Sequence, residues 1–363
     1  MPPVDVLVVG GGLGGCAAAL AAARKGLSVV LAESSDWVGG QLTSQGVPPD
    51  EHPWIETCGC SASYRALRDA MRAECRARYP LTPGACADEA LNPGEAWVSK
   101  LSCEPRIALA ALEQLLAPAI DSGHLVVHLE HELAAAATDG DRVTGATFRR
   151  RDGTSVAVNA RFVLDATELG ELLALAGVEH VTGAESRAET GEEHAPLKAA
   201  PRNTQAVTVC FAVEHREGEN HTIQRPLRYE FWRSYAPAQM SPPWPGRLLS
   251  LQYTHPVTLE PVDPLFVPHD DTLDPSHPNL WSYRRIISRR IMAAASPAAA
   301  GGLISGVAGS ATDDIDAAAS DVCLINWPQN DYWIQDLCLA TPQELEQHVE
   351  DARQLSLSLL CAR

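Results

Sequence analysis

The chain has 363 residues, 45% of them hydrophobic, which is enough for two domains with a sizeable core and too apolar for a disordered protein. A formal net charge of −18 repels phosphate-rich polymers and anionic membrane surfaces, which argues against nucleic acid or an anionic membrane as partner. A small anion held by backbone N–H groups is not excluded.

Apolar residues begin early, in VDVLVVGGG, but without a basic leader, and glycine breaks the run after one strand's length. No apolar run reaches membrane-spanning length uninterrupted. The ten cysteines contain no C-x-x-C pair, and the nearest spacing is Cys58-Gly-Cys60. Reduced thiols and a cytoplasmic setting are the expectation.

Val4 to Val9 is a β-branched, nearly all-apolar run that suits a strand buried on both faces of a parallel sheet. Gly10-x-Gly12-x-x-Gly15 follows directly, then the helix former CAAALAAARK with Gly26 placed to end it. LSVVLAE, Leu27 to Glu33, reads as a second strand closing on an acid. In this order Gly10 permits a tight turn, Gly12 admits a pyrophosphate close to backbone, and Gly15 lets the helix lie against the strand. The helix N-terminus offers free N–H groups and a positive dipole end, and Glu33 falls where a carboxylate accepts from ribose hydroxyls. These elements predict a dinucleotide site. NAD and FAD share it. Gly39-Gly40, six residues after Glu33, adds a second special loop and favours FAD; an ordinary turn is the plainer reading.

SASYRALRDAMRAECRARY, Ser61 to Tyr79, predicts a helix with Arg65, Arg68, Arg72 and Arg76 on one face. A solvated face with acid partners is preferred over a stripe facing an anionic ligand. EPRIALAALEQLLAPAIDSG predicts a second helix, with Pro105 in its first turn. His124 to Leu133 reads as one strand, with His124 and His128 on one face and His131 on the other, so no three-histidine metal site is expected. Asp152-Gly153 marks a hairpin, and Arg161 to Glu171 returns to a buried strand that ends in Asp165-Ala166-Thr167.

From about Pro201 prolines and aromatics cluster, as expected of an inserted substrate domain. Asp263, His269, Asp270, Asp271, Asp274 and His277 read as a proline-broken acidic loop rather than a metal site. Ser296 to Asp314 reads as a small-residue loop or a poorly ordered stretch. Thr341, Pro342 and Glu344 start a final helix with a capping box, and its apolar run meets Arg363 without a stop signal.

Six segments, GGQLTSQGVPPDEHPWIE, GCSASYRALRDAMR, NPGEAWVSKLSCEPRIAL, VLDATELGELLALAGVEHVTGAES, LWSYRRI and INWPQNDYW, together resemble the bacterial FAD-dependent oxidoreductase family grouped with the A subunit of heterodisulfide reductase. The resemblance runs from the N-terminus past Trp333. It implies an α/β fold: a glutathione-reductase-type, Rossmann-like FAD domain with a central parallel sheet and a β-meander, and an inserted α+β substrate domain. The expected division is residues 1–200, 201–333, and a helix at 334–363 returning toward the FAD domain. By matched position the FAD contacts fall on Gly10, Gly12, Leu13, Gly14, Gly15, Glu33, Gly40, Gln41 and Leu42, on Ala166 and Thr167, and on the backbone at Leu133. No catalytic residue is implied. His52, Tyr283, Arg284 and Arg285 lie in matched segments and read equally as substrate contacts or as structure.

Two departures stand out. Relatives with iron–sulfur clusters carry a C-x-x-C-x-x-C run that is missing here. Inert thiols are therefore preferred to a looser cluster of Cys58, Cys60, Cys75, Cys86 and Cys103. The family's final segment, which closes over the flavin, is also missing, so apolar surface of the last helix is expected to be exposed. The leading expectation is a flavin-dependent oxidoreductase acting on a small molecule. The alternatives are an idle fragment or split half that needs a partner chain or self-associates, an iron–sulfur-linked electron-transfer subunit, and a nicotinamide-only dehydrogenase.

Overall fold

Val4–Val9 (β1) runs parallel to Val29–Ala32 (β2), which in turn is parallel to Leu125–His128 (β3). His131–Asp139 (β4), Arg142–Arg150 (β5) and Ser155–Asp165 (β6) form an antiparallel meander, and the sheet order is β3-β2-β1-β6-β5-β4. The computed structural model describes residues 3–237, 244–250, 252–255, 257–262, 279–293 and 320–362. The expected acidic loop at 263–277 and the small-residue stretch at 296–314 lie outside them.

The all-apolar β1 is accounted for by its two covered faces. Val6 and Val8 pack with Cys16 and Ala19 of Leu13–Ala23 (α1). Leu7 and Val9 pack with Ala146, Phe148 and Val158 of the meander. The helices Ala62–Arg78 (α2), Pro83–Ala87 (α3) and Pro105–Asp121 (α4) follow, and α2 and α4 pack together on the α1 side.

Three sequence expectations change. The single strand foreseen over 124–133 is two strands. Glu130, at φ +57°, turns the chain, and Glu130 N–H donates to Ser35 O at 2.9 Å. The break brings the rings of His128 and His131 to 4.8 Å instead of onto opposite faces. Second, the strand expected from Arg161 starts earlier and is continuous with the meander as β6: Ser155 to Asn159 pairs with β5 and Ala160 to Asp165 with β1. One face of its parallel half is not buried: Phe162 is 58% and Leu164 40% exposed, while Ala160 and Val163 pack into the core. Third, the middle of the arginine stripe of α2 pairs with acids away from solvent, while Arg76 at its end donates to the carbonyls of Cys86 and Asp88. Arg68 (0% exposed) and Arg72 are buried against Glu51 and Glu56.

Beyond residue 201, Phe211–Glu214, Val322–Ile325 and Arg285–Ile287 form an antiparallel sheet. A second core gathers Trp232, Trp281, Trp327 and Tyr332. Ile286, Ile287 and Leu324 nevertheless belong to the cluster that holds α1 and β1, so the later residues share a core with the first part. The final helix, Pro342–Cys361, starts with the expected capping box. Its Ala352, Leu355 and Leu359 are buried in the second core, so this apolar face is covered within the chain and packs on the later residues, contrary to the exposed helix expected above. Among the described residues no helix is long and apolar enough to cross a membrane.

Candidate functional site

At the carboxyl end of β1 the chain turns through Gly10, whose φ of +100° favours glycine. A Cβ there would stand 2.2 Å from Ala166 O, and one on Gly15 would stand 2.0 Å from Gly10 O. These two glycines are required by the backbone packed on them. A Cβ on Gly14 would meet nothing within 4 Å, and the nearest atom to one on Gly12 is Glu168 Oε1 at 3.5 Å. Open space over Gly12 and Gly14 is what a diphosphate cradle requires. The first intrahelical bond outside the cradle's turn is Cys16 N–H to Gly12 O at 2.9 Å, so the N–H groups of Leu13, Gly14 and Gly15 form the unbonded first turn of α1. Together with the helix dipole they suit an anion.

The second glycine loop lies on the first. Gly39 (φ +107°) donates its N–H to Gly11 O at 2.7 Å, and a 3-10 turn follows over Gly40–Leu42. Glu33 ties both ends of its own loop: Oε2 accepts from Gly11 N–H at 2.7 Å and Oε1 from Ser35 N–H at 2.8 Å. A carboxylate has about four acceptor positions, so capacity remains for ribose hydroxyls. Asp165 shapes the third segment. Its Oδ1 accepts from Thr167 N–H at 2.9 Å and Thr167 Oγ1 at 2.6 Å, and its Oδ2 from Leu173 N–H at 3.1 Å. The thiol of Cys16 beneath the loop is pushed up to about 12 by burial and by the Glu33 charge, and so is inert.

These segments enclose a cleft of about 640 Å³. Gly10, Gly12, Glu33, Gly40, Leu133, Ala166 and Thr167 line it. Leu13, Gly14 and Gly15 are the helix turn at its base. Gln41 instead lines a neighbouring cavity, and the Leu42 side chain is buried in the core as an anchor for its loop. Sequence reasoning missed Ser44, Gln45, His131 and Glu168, which also line the cleft. Glu168 follows the Ala-Thr pair directly, a spacing that could have pointed to it. Gln45, whose amide donates to Glu168 Oε1 at 3.3 Å, carries no local signal.

The four other candidates separate clearly. Arg285 is structural: its Nε donates to Gly94 O at 2.7 Å and its head group pairs with Asp321. Tyr283 stacks on Trp97 at 5.6 Å and meets Trp327 edge-on at 4.7 Å. His52 is exposed and packs near Trp54 and Gly59. Arg284 alone lines a cavity, the one that shares Ser44 and Gln45 with the cleft. Among the described residues no group of three or more His, Cys, Asp or Glu is placed to hold a metal ion.

Asp331 faces the same second cavity, with Oδ1 accepting from Thr208 Oγ1 at 2.5 Å. Burial raises its carboxyl above the ordinary 3.8, against the opposing effects of Thr208 and Arg284. A carboxyl raised on folding stabilises the fold fully only below the unfolded value, and that contribution is lost as pH rises through the folded value. Asp331→Asn is therefore expected to raise Tm at pH 8 and to leave it nearly unchanged near pH 3.5. Thermal unfolding at the two pH values checks this, and an equal shift at both would contradict it.

A parallel sheet edge, a glycine turn against a helix N-terminus, an acid at the end of β2 and a meander returning to Ala-Thr define a Rossmann-type dinucleotide-binding flavoprotein fold. The chain belongs to the FAD dependent oxidoreductase family, which matches residues 5–361. A curated relative, hydroxyneurosporene desaturase of Rhodobacter capsulatus, is 39% identical over 77 residues, covering 20% of this chain and 14% of its own length. Among solved structures, the glycerol-3-phosphate dehydrogenase of Bacillus halodurans complexed with FAD is similar at TM-score 0.33 and 16% identity, covering 54% of this chain and 44% of its own. The myxobacterial chondrochloren halogenase is similar at TM-score 0.31 and 20% identity, covering 46% and 38%. The chain thus spans less than half the length of each of these relatives.

Proposed function

We propose that the protein is an FAD-dependent oxidoreductase acting on a small polar molecule. The observation that carries this is the convergence of three backbone segments, Gly10 to Gly15, Gly39 to Leu42 and Ala166-Thr167, on one cleft with Glu33 at its rim. Bound FAD supplies hydride or electron transfer. The first turn of α1 holds the pyrophosphate, Glu33 the ribose, and the backbone at Leu133 the adenine. Residues 1–200 form the FAD part, 201–333 the substrate part, and the final helix braces the latter. Reduced cysteines and the acidic charge suit a cytoplasmic enzyme. The motifs quoted above favour the subgroup near the heterodisulfide reductase A subunit.

The test is the visible absorbance of the purified chain, with the released cofactor identified by chromatography. FAD in stoichiometric amount supports the reading. A colourless protein that cannot be loaded with FAD overturns it. Glu33→Ala removes a charged acceptor worth about 1.5–3 kcal/mol, so FAD affinity is expected to fall roughly 10- to 100-fold, measured by fluorescence titration of the apoprotein.

A second reading, a chain idle until a partner completes it, is favoured by the exposed Phe162 and Leu164 on β6. A monodisperse, FAD-loaded monomer in light scattering would rule it out.

A further inference from the structure

Next to the FAD cleft lies a second cavity of about 640 Å³, and Ser44 and Gln45 line both. Its walls are mostly polar. They bring together residues from four distant parts of the chain, Asp50, Thr208, Arg284 and Asn326 among them. Arg284 is the only cation among its lining residues. It is only 7% exposed, yet its hydrogen bonding is incomplete. Nη1 and Nη2 donate to Asp50 at 2.9 and 3.3 Å, while Nε finds no acceptor among the described residues. That Nε is shut off from solvent, so the atoms of Arg284 that can be offered to a ligand are Nη1 and Nη2, the pair that now holds the half-exposed Asp50.

The partner it has is loosely held. The Asp50 side chain is 57% exposed, so it turns to solvent at little cost when a competing carboxylate arrives. We propose that this cavity is the substrate site and takes a small monocarboxylate, anchored by the planar fork of Arg284. Its standing as a substrate site rests on the FAD reading of the adjoining cleft. Asn326, whose Nδ2 donates to Cys210 Sγ at 3.4 Å, and the hydroxyl of Thr208 give the remainder of such a molecule polar neighbours. A dianion is disfavoured because Asp50 and Asp331 share the walls with a single arginine. A long apolar substrate would leave these buried polar groups unpaired.

Calorimetric titration of the FAD-loaded protein with pyruvate, and with its neutral amide as control, tests the assignment. Pyruvate is expected to bind saturably and at least about tenfold tighter than the amide, the difference a charged pair makes. Arg284→Lys, which swaps a fork for a point charge, is expected to weaken pyruvate about tenfold. Because that buried site could misfold, Asp50→Asn provides an independent arm: removing the competitor should tighten pyruvate several-fold and leave the amide unchanged. Equal binding of acid and amide, or no tightening in Asp50→Asn, overturns the proposal. FAD content is read from absorbance in the same samples. Loaded protein that ignores pyruvate overturns this proposal alone. Protein that cannot be loaded with FAD yet still binds pyruvate through Arg284 supports the carboxylate site and overturns the flavin reading.

Discussion

Gly15→Val is expected to abolish FAD binding and to cost the fold roughly 3 kcal/mol or more, beyond the ordinary 1–3 kcal/mol of overpacking. The reason is that the new Cβ would stand 2.0 Å from Gly10 O, and that atom is backbone, which cannot rotate away. The helix must retreat from β1, and its first-turn N–H groups then leave the cleft. Gly14→Ala is the matched control for stability alone, since the space over Gly14 belongs to the cradle. Its Cβ meets nothing within 4 Å, so the helix is expected to gain about 0.5–1 kcal/mol from the better helix former. Denaturant titration and flavin content of both variants check the pair. Full FAD loading in a folded Gly15→Val would remove the cradle from the account.

Arg68→Ala is expected to be the most damaging substitution of a charged residue, at about 3–5 kcal/mol. Arg68 is fully buried and pairs with both Glu51 and Glu56. Without it the Glu51 side chain, 4% exposed, keeps only the Tyr64 hydroxyl as a close partner among the described residues and stays out of water. Arg149→Ala should change stability by at most about 1 kcal/mol, because its pair with Glu132 is exposed on both sides. The double variant Arg68→Leu with Glu51→Leu is expected to be milder than Arg68→Ala, since neither charge is then left alone. Chemical denaturation of the four chains decides this, and a loss below 1 kcal/mol in Arg68→Ala would show the pair to be solvated.

Much of the site was legible because its signals are local. The run from β1 through Gly10, Gly12 and Gly15 to Glu33 specifies its own strand, turn, helix and strand, and Gly15 packs on Gly10 five residues away, although Gly10 and Gly12 face Ala166 and Glu168 just past the end of β6. The hairpin at Asp152-Gly153 and the cap at Thr341-Pro342-Glu344 are local in the same way. Such elements depend on steric and hydrogen-bonding preferences of a few consecutive residues.

Tertiary structure decided the rest. The stripe from Arg65 to Arg76 has a helical period in the sequence, but whether it faces water depends on where Glu51 and Glu56 fold back. The break at Glu130 arises because the chain there bonds to the loop after β2, not to its own neighbours. The alternation in β6 could not reveal that Phe162 and Leu164 stay exposed, since that depends on which element lies over them. Arg284, Asn326 and Asp331 carried no shared spacing with Asp50 and Thr208, and only the packing of the later sheet against the first core brings them to one cavity. Periodicity is a property of neighbouring residues. Burial, and with it the strength of every charge and hydrogen bond, is a property of the whole folded chain.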